Sequence, residues 1–187
     1  MVGRPVDLMV HKSEAKPADT VLAALVNRRQ VMLDFPLRGE VDLELVRYGD
    51  RAGESVYKRS VSLMFYEACR MLYPRAKTVI GQSLGNCYHY QVRGEHPELA
   101  EMAKSIERTM RTIHREARPF SRQTVTIEEA EKYCRANGCE DKLLLLATRR
   151  SSTVHTLTCG SFVDLAYGPA APNTGCCPTF GVMPYED

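Results

Sequence analysis

The cysteines and histidines have the widest chemical repertoire in this chain, and their spacing excludes most of what they could do together. Cys69, Cys87, Cys134, Cys139, Cys159, Cys176 and Cys177 are scattered with no C-x-x-C, so neither a zinc ribbon nor a dithiol redox motif is signalled. Reduced thiols, some of them buried as small apolar side chains, are the expectation. His89 lies in an alternating, strand-like segment and His114 on a polar helix face. No two histidines have the i, i+4 spacing that would turn both toward one metal from a helix, so no metal site is expected. His155 and Cys159 face one side of a strand. At ~3.3 Å per residue they stand about 13 Å apart, too far for a thiol–imidazole pair. The Gly-rich pieces 81–85 and 168–175 lack the Lys-Ser/Thr that holds phosphate and Mg²⁺ in a P-loop, so this stretch cannot transfer a phosphoryl group by that route. Arg149-Arg150-Ser151-Ser152 is a basic turn, read as solvated in preference to phosphate-bound. Tyr88 and Tyr90 flank His89 and read as cover for a sheet face in preference to a stacking platform for bases.

The elements that must position these residues follow from composition and periodicity. The chain has 187 residues, 44% hydrophobic and 26% charged, with a net charge of +2 that makes no electrostatic case for a nucleic-acid partner. No apolar run approaches the roughly 18–20 residues of a membrane helix. The N-terminal MVGRPVDLMVHKSEAKP has no signal-peptide core, so a cytoplasmic location without a membrane partner is expected. Val6–Val10 alternates like a strand, Pro17–Thr20 leads into a short helix over Val21–Leu25, and Val31–Phe35 and Val41–Val46 read as strands. Strand, helix, strand, strand over residues 1–50 predicts a small β-grasp, ubiquitin-like module. From about Glu54 to Tyr73 an apolar stripe of helical period runs to a Pro74 stop, followed by strands over Ala76–Ile80 and Cys87–Val92. A second helix runs from Pro97 to about Arg118, and Phe120–Ile127 is strand-like. Thr126-Ile127-Glu128-Glu129 is a capping box opening a helix that stops at Asn137-Gly138. Leu143–Ala147 fits helix or strand. Thr153–Thr158, Ser161–Leu165 and Phe180–Met183 read as strands. The fold class is α+β, with a second module over residues 54–187 whose helices pack on an antiparallel sheet.

The order of the helix, Leu72-Tyr73-Pro74, Ala76-Lys77, Ile80-Gly81 and Gly85-x-x-Tyr88-x-Tyr90 resembles the editing domain that follows the small N-terminal domain of threonyl-tRNA synthetases. The related alanyl-type editing domains share the pattern. Thr126–Ala130, Asn137-Gly138 and Val163-Asp164-Leu165-Ala166-Tyr167-Gly168-Pro169 extend the likeness from about Val26 to the C-terminus. The resemblance implies two histidines in H-x-x-x-H, a cysteine, and a histidine after Gly-Pro as the metal-binding or water-activating set. This chain has Arg59, Leu63, Ala166 and Ala170 at those positions, none of which ligates a metal or shuttles a proton. No catalytic residue is therefore assigned. Lys142 and Asp164 match polar residues of the family's pocket and pair either with a ligand or with each other. Arg59, Lys142, Asp164 and Tyr88 are the residues to which a small polar ligand or an RNA element is assigned. Tyr57–Ser62 is similar to a group of bacterial uridine kinase-like proteins that also lack the paired histidines and carry a P-loop domain after the editing-like one. That likeness implies an accessory role for this chain, with ATP and Mg²⁺ as cofactors only of a kinase domain downstream. An editing hydrolase with a rearranged site and a nucleic-acid-binding module without chemistry are the alternatives.

Overall fold

A computed structural model describes residues 6–11, 20–85, 87–94 and 97–185, with the backbone alone for 6–11. The elements are β1 (Val6–His11), β2 (Val21–Val26), β3 (Arg29–Val31), β4 (Leu43–Arg47), α1 (Arg51–Leu72), β5 (Lys77–Leu84), β6 (Cys87–Arg93) and α2 (Leu99–Arg115). After these come β7 (Phe120–Thr126), α3 (Ile127–Ala136), α4 (Glu140–Ala147), β8 (Thr153–Cys159), β9 (Phe162–Leu165), a 3-10 turn (Thr174–Cys176) and β10 (Gly181–Tyr185). Three antiparallel sheets form, in the orders β10-β1-β6-β5, β3-β2-β4 and β7-β8-β9. The α+β class is as expected.

Two expected elements of the first fifty residues are corrected. Val21–Leu25 is strand, because β2 pairs on both sides, with β3 through Ala24↔Val31 and with β4 through Leu25↔Glu44. The turn into β3 is made by Asn27 and Arg28, both at positive φ (49° and 66°), the geometry whose twist matches a tight hairpin. Among the described residues before Arg51 there is no helix, and α1 packs against the small sheet. Val31–Phe35 is strand only to Val31. The Pro17–Asp19 lead-in lies outside the described residues. Strand β1 belongs to another sheet, between β6 (Met9↔His89) and β10 (Val10↔Val182).

Helix α1 is the spine. Val56, Val61, Met64, Phe65 and Ala68 are buried along it, as helical periodicity predicts, with Tyr57 beside them, whereas Met71 and Leu72, which the same period places in the stripe, are exposed. One continuous core links Leu22, Val46 and Tyr48 of the small sheet region through α1 to Tyr90, Val92 and the buried face of α2 (Met102, Ile106, Met110, Ile113). The expected linker over residues 50–54 is the cap and first turn of α1, and the core runs across it. A second, smaller cluster of Ala130, Cys134, Leu146, Val154 and Leu165 holds α3 and α4 to β7–β9. The Thr126/Glu129 capping box is formed, with Glu129 N donating to Thr126 Oγ1 at 3.1 Å and Thr126 N to Glu129 Oε2 at 2.8 Å. The ambiguous run Leu143–Ala147 is helical, in α4. Helix α2 begins after Pro97, with Glu98 as its N-cap. Among the described residues no helix is long and apolar enough to cross a membrane.

Candidate functional site

The segment after β9 folds back against the first half of α1, so Arg59 and Leu63 come to face the chain that carries Ala166 and Ala170. Arg59 Nη1 donates to Pro169 O at 2.5 Å. Gly168 is so close that a Cβ there would lie 2.8 Å from the guanidinium, so a larger residue would make Arg59 shift. One turn of helix supports the arrangement: Ser60 Oγ donates to Val56 O and accepts from Ala171 N, both at 2.8 Å. Leu63 is buried, and Ala170 and Ala171 are fully buried in the same core. Arg59 is half-buried and makes no ion pair among the described residues. Burial pulls its pKa below the ordinary 12.5 and Tyr88 acts in the opposite sense, but a guanidinium stays charged at neutral pH. A cation and apolar side chains thus meet where α1 faces the segment after β9.

Lys142 and Asp164 find each other. Helix α4 presents Lys142 in its first turn, β9 presents Asp164, and Nζ and Oδ1 are 2.5 Å apart with both side chains largely covered. Burial alone would lower the Lys142 pKa. The charge and hydrogen bond of Asp164 outweigh it, and the value is raised above the ordinary 10.5. The ammonium also lies over the Phe162 ring (5.2 Å), which stacks at 9° on Tyr66 with 4.8 Å between centroids. Lys142 borders two clefts, one of about 140 Å³ beside Tyr66, Arg70 and Tyr133 and one of about 190 Å³ beside Gln123, Thr156 and Leu165. Tyr88 stands by Arg59, and its ring is 6.5 Å from that of Tyr90, whose hydroxyl bonds Ser62 Oγ. The four assigned residues therefore form two pairs, Lys142 with Asp164 and Arg59 beside Tyr88. No hydrogen bond or ion pair joins the pairs among the described residues.

Four of the thiols, those of Cys69, Cys134, Cys159 and Cys177, are buried. All seven are free, and burial pushes Cys69 and Cys159 up to about 12 and Cys177 well above its ordinary value. His155 Nδ1 bonds Thr124 Oγ1 at 3.0 Å. Among the described residues no three His, Cys, Asp or Glu side chains gather as a metal site would require.

Sequence reasoning missed Glu67. Its carboxylate is buried under the β8–β9 turn, where it accepts from Ser161 N (3.1 Å), Ser161 Oγ (3.1 Å) and Phe162 N (2.9 Å) and pairs with Arg118 at 3.1 Å. Gly160, at φ 58°, passes so close that a Cβ would fall 2.1 Å from Glu67 Oε1. The available signal was a lone carboxylate inside the apolar stripe of α1, between Phe65 and Ala68.

The fold and this site define an α+β, synthetase editing-like region. Comparison with known proteins places the likeness. The chain is 32% identical over 161 residues to a threonine–tRNA ligase of Desulforamulus reducens, which is 84% of this chain and 25% of that protein. It is 31% identical over 167 residues to the threonine–tRNA ligase of Acetivibrio thermocellus and 30% over 167 residues to that of Methylococcus capsulatus, in each case 89% of this chain and 26% of the relative. The chain thus spans about a quarter of the length of the curated relatives it matches. No family model matches it.

Proposed function

We propose that this chain is a catalytically vacated editing-like region that acts as the accessory, N-terminal part of a longer nucleoside-phosphorylating protein of the uridine kinase-like kind. On this reading it holds a small polar ligand or an RNA element beside Arg59, Tyr88, Lys142 and Asp164. The observation that carries the reading is the Arg59 guanidinium bonded to Pro169 O, with Leu63 and Ala170 buried around it. A site closed by a fixed cation and methyl groups has no group able to activate water. The Tyr57–Ser62 likeness supports the kinase-like parent. ATP and Mg²⁺ would then belong to the domain that follows, whose Walker A loop would supply the phosphate cradle.

The reading frame past Asp187 tests the parent: a strand followed by G-x-x-x-x-G-K-[ST] is expected, and a stop codon there would remove the kinase part. A deacylation assay with Ser-charged threonine tRNA tests the vacated site, and no turnover above the uncatalysed rate is expected. The rival editing hydrolase would use Lys142, a largely covered ammonium beside two clefts. Turnover that Lys142→Ala abolishes would establish that rival in place of this reading.

A further inference from the structure

A groove on the far side of the Tyr167-Gly168-Pro169 turn is independent of the reading above. It encloses about 410 Å³ and is lined by Arg29, Gln30, Arg122 and Arg149 together with the chain from Ala166 to Pro169. The three arginines come from β3, β7 and the segment after α4, so their convergence is a product of the fold. No carboxylate lines the groove. The carboxylate in register with Arg122 across Leu157 is that of Asp164, and Lys142 already holds it. None of the three arginines makes an ion pair among the described residues. Arg122 Nε is buried and has no hydrogen-bond partner, an orphaned donor of the kind an acceptor from outside the chain would satisfy. Positive potential is felt nearby, because burial first and then Arg122 and Arg29 lower the pKa of His155. At the rim the Tyr167 ring is 60% exposed, which leaves a face open to a planar ligand.

We infer that this groove binds a nucleoside di- or triphosphate, with the phosphates on Arg29, Arg122 and Arg149 and the base on the exposed face of Tyr167. Guanidinium forks suit phosphate oxygens because they donate two parallel hydrogen bonds while neutralising charge. Three of them in one open groove match the two to four charges of a polyphosphate better than the single charge per residue of a nucleic-acid backbone. The net charge of only +2 makes this concentration of positive charge local and not a property of the whole surface.

The test is titration calorimetry of the whole chain with pyrophosphate, with a nucleoside triphosphate, and with an oligonucleotide lacking terminal phosphates, at low and at physiological salt. Saturable binding of pyrophosphate and of the nucleotide is expected, weakening as salt rises. Arg29→Gln and Arg149→Gln, both at exposed positions, should each weaken both ligands about tenfold or more, while Arg108→Gln on the exposed face of α2 leaves them unchanged. Tyr167→Ala should weaken the nucleotide by roughly tenfold and leave pyrophosphate unaffected. The inference is overturned if pyrophosphate shows no saturable binding at millimolar concentration, if binding survives replacement of both exposed arginines, or if the oligonucleotide binds more tightly than the nucleotide.

Discussion

Glu67 shows how far one side chain can organise its surroundings. It is 2% exposed, and its carboxylate answers three donors of the β8–β9 turn as well as Arg118, so removing it strands those donors, while Arg118 keeps its pair with Glu116. Leaving the buried donors that faced a carboxylate unsatisfied costs about 1–3 kcal/mol. Glu67→Ala is expected to lower the unfolding free energy by that amount, measured by urea denaturation, whereas an exposed carboxylate such as Glu128 should tolerate the same change within about 0.5 kcal/mol. Arg59 is a different case. Residue identities alone make it clear that a guanidinium cannot stand in for an imidazole. That it spends its hydrogen bond on Pro169 O was hidden, because the partner is a backbone carbonyl 110 residues away.

At the scale of elements, legibility followed local physics. The capping box at Thr126, the Asn137-Gly138 stop and the α1 stripe are decided within a few residues and were readable. Val21–Leu25 misled because its five apolar residues carry no period, and only the two neighbouring strands decide that it pairs. Leu143–Ala147 misled less. It was an apolar run of undecided type, and it turns out to be a helix with Leu144 73% exposed and Leu146 buried. The end of α2 carries a testable flaw. Glu116 closes the helix and Ala117 follows at φ 48°, a left-handed position that glycine occupies without a Cβ clash. Ala117 is exposed, so Ala117→Gly loses no packing there. It is expected to stabilise the protein by up to about 1 kcal/mol and to raise Tm by a few degrees in a thermal melt.

At the scale of the whole molecule, the core makes a prediction about alkaline stability. Cys69 and Cys159, whose ordinary value is 9.0, are pushed up to about 12 by burial, and burial also raises Tyr57, Tyr66 and Tyr90. The native state keeps these protons at a pH where the unfolded chain has released them. Unfolding then binds fewer protons than folding, and stability must fall as pH rises. Stability is complete below about pH 9 and is lost progressively toward pH 12. Lys142, also raised, adds to the loss as it deprotonates and frees Asp164. Thermal melts between pH 8 and pH 11 should show Tm falling throughout the upper part of that range. A flat profile would mean that the thiols and phenols are hydrated in the native state.

Residue types and local order were enough to establish the α+β class and the helix ends set by the Thr126 capping box, Pro74 and Asn137-Gly138. These depend on side-chain chemistry and on interactions a few residues long. Tertiary structure alone decided that β1 joins β10, that Glu67 anchors a distant turn, that Lys142 is held by Asp164, and that Arg29, Arg122 and Arg149 share one groove. Each of these joins residues separated by twenty to more than a hundred positions. Burial and charge act through space, and no local pattern encodes which distant partner will be close enough to feel them.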